Sequence, residues 1–143
     1  MLDDADVDAA VNLAAWGSFF HQGQICMTTG RHLVADRLYD DFVARLAEKA
    51  DALSVGDPAT GEVALGPVID AGQRDKIHTM VTASADQGAR IAAGGSYESL
   101  FYRPPCWRTS PSPRRPSPRR CSARRAGHPG VVGGGGRGAG RGQ

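Results

Sequence analysis

Among the 143 residues, the side chain best placed to do covalent chemistry is Cys26. It sits in Phe19-Phe20-His21-Gln22-Gly23-Gln24-Ile25-Cys26-Met27-Thr28-Thr29-Gly30-Arg31, where a helical pattern ends and a strand pattern begins. The spacing predicts a short loop with glycine on both sides of the cysteine. Such a junction exposes a nucleophile on a rigid scaffold. A thiolate suits the position because it attacks readily and leaves readily from a thioester. By residue type alone, a free cysteine is more often a small buried apolar group. His21 and Cys26, five apart, make neither the close pair of a zinc site nor a defined dyad. Cys106, Cys121 and His128 also lack paired metal spacing, so no metal site is expected.

Three helices and a few short strands must position this loop. Asp4 or Asp6 can cap a helix running to Phe20, with Val7, Val11, Ala14 and Ala15 on one face and Ala10 and Leu13 beside them. Gly23 is the expected end, and a strand is expected over Arg31–Ala35. Asp36 is expected to cap a second helix with the stripe Leu38, Phe42, Leu46, Ala50 and Leu53. Ser54–Val68, with three glycines and two prolines, reads as a surface loop. Asp70 and Gln73 resemble a capping box for a third helix, whose face is Gln73, Ile77, Met80, Val81 and Ser84 and whose end is Gly88. His78 on that helix reads as a solvated surface histidine. Strands are expected at Ala89–Ala93 and from Leu100 to Tyr102. Strands alternating with helices define an α/β fold, though so few strands make a thin sheet for a self-sufficient domain.

The net charge of +2 describes neither part of the chain. Residues 1–103 hold eight Lys and Arg against all fifteen acidic residues, a net of −7. Residues 104–143 hold nine Arg and no acid, together with seven of the nine prolines. They contain no Leu, Ile, Met, Phe or Tyr, and only Trp107, Val131 and Val132 as sizeable apolar groups. Such a segment buries too little surface to offset the ordering of its backbone. The expected division is therefore a globular unit over 1–103 and a disordered Pro/Arg/Gly-rich tail over 104–143. Gly133, Gly135 and Gly138 spell G-x-G-x-x-G, but with no strand before them and no helix after them the spelling carries no dinucleotide site. No apolar run approaches the roughly 18 residues of a membrane span. The acidic start lacks the basic region of a secretory signal. Scattered cysteines make a reducing cytoplasm the default location.

Gly23-Gln24-Ile25-Cys26, with Phe19 before it and Arg31 after it, resembles the active-site cysteine signature of the aldehyde dehydrogenase superfamily. Leu2-Asp3-Asp4-Ala5-Asp6-Val7-Asp8 resembles the family segment leading into the helix before the cysteine. Leu38-Tyr39-Asp40-Asp41-Phe42, Val55-Gly56-Asp57-Pro58 and Leu65-Gly66-Pro67-Val68-Ile69 resemble the stretches that follow it. The likeness covers residues 2–103, and the wording around Cys26 is closest to members acting on aromatic aldehydes, the benzaldehyde or vanillin dehydrogenase type.

The resemblance implies an incomplete segment of an aldehyde dehydrogenase catalytic domain with Cys26 as the nucleophile. Its thiolate would attack the aldehyde carbon, hydride would pass from the thiohemiacetal to NAD or NADP, and the thioester would be hydrolysed. The Cys26 N–H would be one oxyanion donor. Phe19, Phe20 and Met27 would either line an aromatic aldehyde pocket or pack beside the helix end. Gln24 and Arg31 match family positions, with a structural role expected for both. The family is homo-oligomeric. Its cofactor domain, the oxyanion-hole asparagine and the water-activating glutamate are absent from these 143 residues, as is the later Glu-x-Phe-Gly-Pro type motif. The expectation is an inactive truncated segment that binds no dinucleotide. The Pro/Arg/Gly/Ala alphabet after residue 104 is what a GC-rich gene read out of frame would produce. The alternative is a small basic-tailed protein binding nucleic acid non-specifically through Ser110–Arg120, since arginine without counter-charge holds phosphate backbones. That tail lacks the aromatic interleaving that base stacking requires.

Overall fold

A computed structural model describes residues 1–108 and the backbone of residues 120–123. Helix α1 spans Val7–Phe19, and Asp6 caps it by accepting from the Ala9 N–H at 3.1 Å. A 3-10 turn at Phe20–Gly23 follows, then strand β1 at His32–Leu33. Helix α2 covers Asp36–Ala52, and here Ala35 occupies the cap position while Asp36 is already the first helical residue. Asp36 therefore acts on the helix dipole rather than as a side-chain cap. Helix α3 covers Ala71–Asp86, with Asp70 accepting from the Gln73 N–H at 2.7 Å as the sequence predicts. The remaining strands are β2 (Arg90–Ala93), β3 (Tyr97–Glu98), β4 (Phe101–Tyr102), β5 (Cys106–Arg108) and β6 (Arg120–Ala123).

The main sheet has the order β1-β6-β5-β2, with every neighbour antiparallel. A separate hairpin pairs β3 with β4. Period-two alternation along β5 divides the core into two layers. Cys106 joins Val11, Phe19, Val34, Phe42, Val43 and Leu46 on the α1/α2 side. Trp107 joins Val68, Ile77, Val81 and Tyr102 on the α3 side. Helices thus cover both faces of the sheet, the layering expected of an α/β unit.

The expected disorder from residue 104 is corrected for residues 104–108. There Cys106 and Trp107 are 0 % and 1 % exposed and pair with β2. Composition averaged over the whole basic segment hid this local apolar pair. The backbone of 120–123 also lies within the sheet, between β1 and β5. The Ser110–Arg120 run up to residue 119, Val131, Val132, His128 and the glycine spelling lie outside the described residues. The Ser54–Val68 loop is tighter than its glycines suggest. Val55 and Leu65 form an isolated bridge, and Leu65 and Val68 are buried.

Gly94 shows why one loop tolerates only glycine. It has φ of +65°, and an added Cβ would stand 2.2 Å from the Pro104 carbonyl oxygen. The approach packs the turn after β2 directly against the backbone that leads from β4 into β5.

Candidate active site

Cys26 is exposed, as its loop position predicts. The last turn of α1 ends at Phe19, after which His21, Gln22 and Gly23 take φ of 50°, 54° and 68°. Two non-glycine residues in the left-handed region cost strain and persist only where neighbours fix them. Gln22 shows how: with its amide oxygen toward Gly66, it accepts from the Gly66 N–H at 2.7 Å and donates to the His21 carbonyl at 3.0 Å. The Gln24 N–H also donates to the His21 carbonyl, at 2.9 Å. The chain then makes a turn in which the Thr28 N–H donates to the Ile25 carbonyl at 3.2 Å, with Thr28 Oγ1 donating to the same oxygen at 2.8 Å. Cys26 and Met27 are the central residues of that turn, and their side chains face solvent.

Two further bonds close the loop. The Thr29 N–H donates to the Gly17 carbonyl at 2.7 Å, and a Cβ at Gly17 would meet Thr29 Oγ1 at 2.8 Å. Ser18 Oγ donates to the Thr29 carbonyl at 3.0 Å and lies 2.9 Å from His32 Nε2. A hydroxyl has one proton, so Ser18 must accept from His32, which carries its proton on Nε2. His32 is therefore an anchor and not a base for Ser18. Burial lowers the His32 pKa, and the positive Met1 terminus adds to the effect.

The structure separates the three candidate pocket residues. Phe19 is 4 % exposed and belongs to the core, which settles its role as packing. Phe20 and Met27 are exposed, and Phe20 stacks on Trp16 at 5.3 Å. Trp16 was not singled out by sequence, although its spacing of four from Phe20 is the signal for a shared helix face. The small cavity lined by Ser18, Phe19, Gln22 and Gly66 holds about 10 Å³, room for one water and not for an aldehyde. Gln24 and Arg31 are exposed. His78 departs from its expected solvated setting. Its Nδ1 lies 3.2 Å from Tyr102 Oη, which donates to the Gly95 carbonyl at 3.1 Å, and its ring meets Tyr97 edge-on. Burial, with Tyr97 adding to it, pushes the Tyr102 pKa up to about 12. No sequence signal links residues so far apart along the chain. Among the described residues no group of three His, Cys, Asp or Glu is placed to hold a metal, and no helix is long and apolar enough to cross a membrane.

A nicotinamide dinucleotide needs a helix N-terminus that accepts pyrophosphate, with glycine letting the backbone approach. The helix starts here carry carboxylates instead: Asp6 and Asp8 on α1, Asp36 on α2 and Asp70 on α3. None of the three described helix starts is therefore a pyrophosphate cradle of that kind.

The aldehyde dehydrogenase family profile matches residues 1–110. A vanillin dehydrogenase of Amycolatopsis sp. is 69% identical over 103 residues, 72% of this chain and 21% of that protein. A benzaldehyde dehydrogenase [NAD(+)] of Pseudomonas putida is 44% identical over 103 residues, 72% of this chain and 21% of its own length. The crystal structure of a salicylaldehyde dehydrogenase from Pseudomonas putida G7, complexed with salicylaldehyde, superposes with a TM-score of 0.67. That structure is 42% identical and matches 73% of this chain and 22% of its own. The chain belongs to the aldehyde dehydrogenase family and carries part of its catalytic-domain fold. It spans about a fifth of the length of the curated relatives it matches.

Proposed function

We propose that this segment supplies the nucleophile for oxidation of an aromatic aldehyde to its acid, and that Cys26 is that nucleophile. The observation that carries the reading is the exposed Cys26 in a turn whose far flank, Thr29, is tied to Gly17 and Ser18 of α1 and whose near flank is held by bonds to the His21 carbonyl. In the first step the Cys26 sulfur, attacking as the thiolate after its proton has passed to water, forms a bond to the aldehyde carbon. The carbonyl π pair moves to oxygen, which takes a proton from water, giving a thiohemiacetal. The Cys26 N–H makes no hydrogen bond among the described residues and is available to that developing oxyanion. Phe20 and Met27 offer exposed apolar surface on the same stretch for an aromatic ring. The hydride acceptor is NAD or NADP, and the residues that hold it are not among those described. The 143-residue polypeptide alone is accordingly expected to show no redox turnover.

Support for the aromatic class comes from the names of the relatives, which include vanillin, benzaldehyde and salicylaldehyde dehydrogenases. The test is transplantation of residues 2–103 into the matching stretch of the Amycolatopsis vanillin dehydrogenase. The chimera should oxidise vanillin and benzaldehyde, and Cys26→Ala in it should lower kcat by about a thousandfold or more. Turnover surviving that substitution would show that the nucleophile lies elsewhere. Non-specific nucleic-acid binding would rest on residues outside the description. The one arginine of the basic segment whose side chain is described, Arg108, is paired with Asp40 and lies over the Tyr39 ring.

A further inference from the structure

The backbone just before Cys26 is held in an unfavourable shape by one side chain. His21 and Gln22 take φ of 50° and 54°, left-handed values that a residue with a Cβ adopts only where neighbours impose them. The Gln22 amide imposes them here. It donates to the His21 carbonyl at 3.0 Å, and the Gln24 N–H donates to the same oxygen at 2.9 Å. Through that shared carbonyl the amide acts on Gln24, the residue that leads into the turn of residues 25–28 carrying Cys26.

The other end of the amide is fixed from outside the loop, where Gln22 accepts from the Gly66 N–H at 2.7 Å. The backbone around Gly66 is itself held firmly. The Leu65 N–H donates to the Ser54 carbonyl at 3.0 Å, and the Gly56 N–H donates to the Leu65 carbonyl at 3.1 Å. The Val68 N–H donates to the Leu100 carbonyl at 2.9 Å, and both Leu65 and Val68 are buried. A Cβ at Gly66 would stand 3.3 Å from the Gln22 amide, so a side chain there would crowd the bond. A fixed partner at each end makes the amide a strut between two segments far apart in sequence.

We propose that Gln22 is a positioning residue for Cys26, whose amide ties the nucleophile's loop to the Gly66 backbone and so fixes the direction from which the sulfur meets the aldehyde carbon. This rests on the reading of Cys26 as the nucleophile. Misplacing a reacting atom by about 1 Å can cost about a hundredfold in rate, which is why a strut two residues before the turn matters. The apolar surface of Phe20 and Met27 is not part of the link, so its loss falls on kcat rather than on KM.

Two substitutions test it. Gln22→Gly removes both amide bonds yet suits the left-handed backbone, since glycine adopts such φ without penalty. Gln22→Glu keeps an acceptor for Gly66 but has no proton for the His21 carbonyl, and it keeps the proposal testable if Gln22→Gly fails to fold. In the full chain, both are expected to speed deuterium exchange of the Gln24 amide at least about tenfold, while the Leu46 amide inside α2 keeps its rate. In the vanillin dehydrogenase chimera, both are expected to lower kcat at least about tenfold with KM little changed. A purely structural role predicts instead that Gln22→Gly, relieved of strain, turns over like the unsubstituted chimera wherever it is folded. Undiminished turnover in the folded variants overturns the proposal, as does an unchanged Gln24 exchange rate. Equal acceleration of the Gln24 and Leu46 amides also overturns it, because general loosening then accounts for both. Turnover that survives Gln22→Gly but not Cys26→Ala removes Gln22 alone, whereas turnover that survives both removes the nucleophile with it.

Discussion

His32 donates from Nε2 to Ser18 Oγ across 2.9 Å, and this bond joins the last turn of α1 to β1 on either side of the Cys26 loop. Ser18 in turn donates to the Thr29 carbonyl, so one buried hydroxyl holds both the strand and the loop. Ser18→Ala leaves the His32 donor and the Thr29 carbonyl short of a partner. The expected loss is about 1–3 kcal/mol of folding stability. Urea unfolding followed by tryptophan fluorescence should show a lower midpoint with an unchanged slope. An unchanged midpoint would mean that water replaces the hydroxyl without cost.

The same pair makes stability depend on pH. Folding lowers the His32 pKa below its ordinary 6.5, chiefly by burial and further through the Met1 ammonium. As pH falls through about 6.5 the unfolded chain takes up this proton before the folded one does. The histidine's contribution is therefore complete above that pH and is lost progressively below it, down to the folded value. His32→Gln should flatten the fall in urea midpoint between about pH 7 and 5. Parallel profiles for the two proteins would remove His32 as its source.

Much of this arrangement could be read in advance, and the parts that could not have physical causes. The α1 and α2 stripes were legible because burial repeats at helical spacing, and Asp70 before Gln73 announced its own cap. The exposed loop position of Cys26 was legible because glycines flank it at a change of periodicity. Leu13 was placed beside the buried face of α1 but is largely exposed. His78 bonded to Tyr102, and Gln22 bonded to Gly66, join residues distant in sequence, and neither leaves a periodic signal. Trp107 was hidden in another way. It enters the core from a basic stretch whose average composition argues against any core.

Gly94 supplies a backbone test of the β2–β3 connection. Its left-handed φ and the 2.2 Å approach of a Cβ to the Pro104 carbonyl both exclude a side chain. Gly94→Ala should destabilise by about 2 kcal/mol or more, since backbone rather than a flexible side chain must move. Gly61→Ala, where nothing lies within 4 Å, is the control. Its effect should stay within about 0.5 kcal/mol. Equal effects at the two positions would contradict the crowding at Gly94.

The two cysteines with described surroundings should differ sharply in reactivity. Cys26 is exposed, and Cys106 is fully buried between β2 and the α1/α2 layer. Iodoacetamide should label Cys26 at least about a hundredfold faster, because labelling Cys106 requires the sheet to open. Peptide mapping of a time course reads both rates. Comparable rates would mean that β5 opens readily in solution.

The most direct measurement concerns the covalent step. The transplanted segment in the vanillin dehydrogenase framework is mixed with benzaldehyde and NAD, quenched in acid during turnover, and mapped by mass spectrometry. The account predicts a benzoyl thioester on the peptide containing Cys26, absent from the Cys26→Ser variant, whose turnover is also lost. Full turnover with the acyl group on another residue, or undiminished turnover in that variant, would contradict the assignment of Cys26 as the nucleophile.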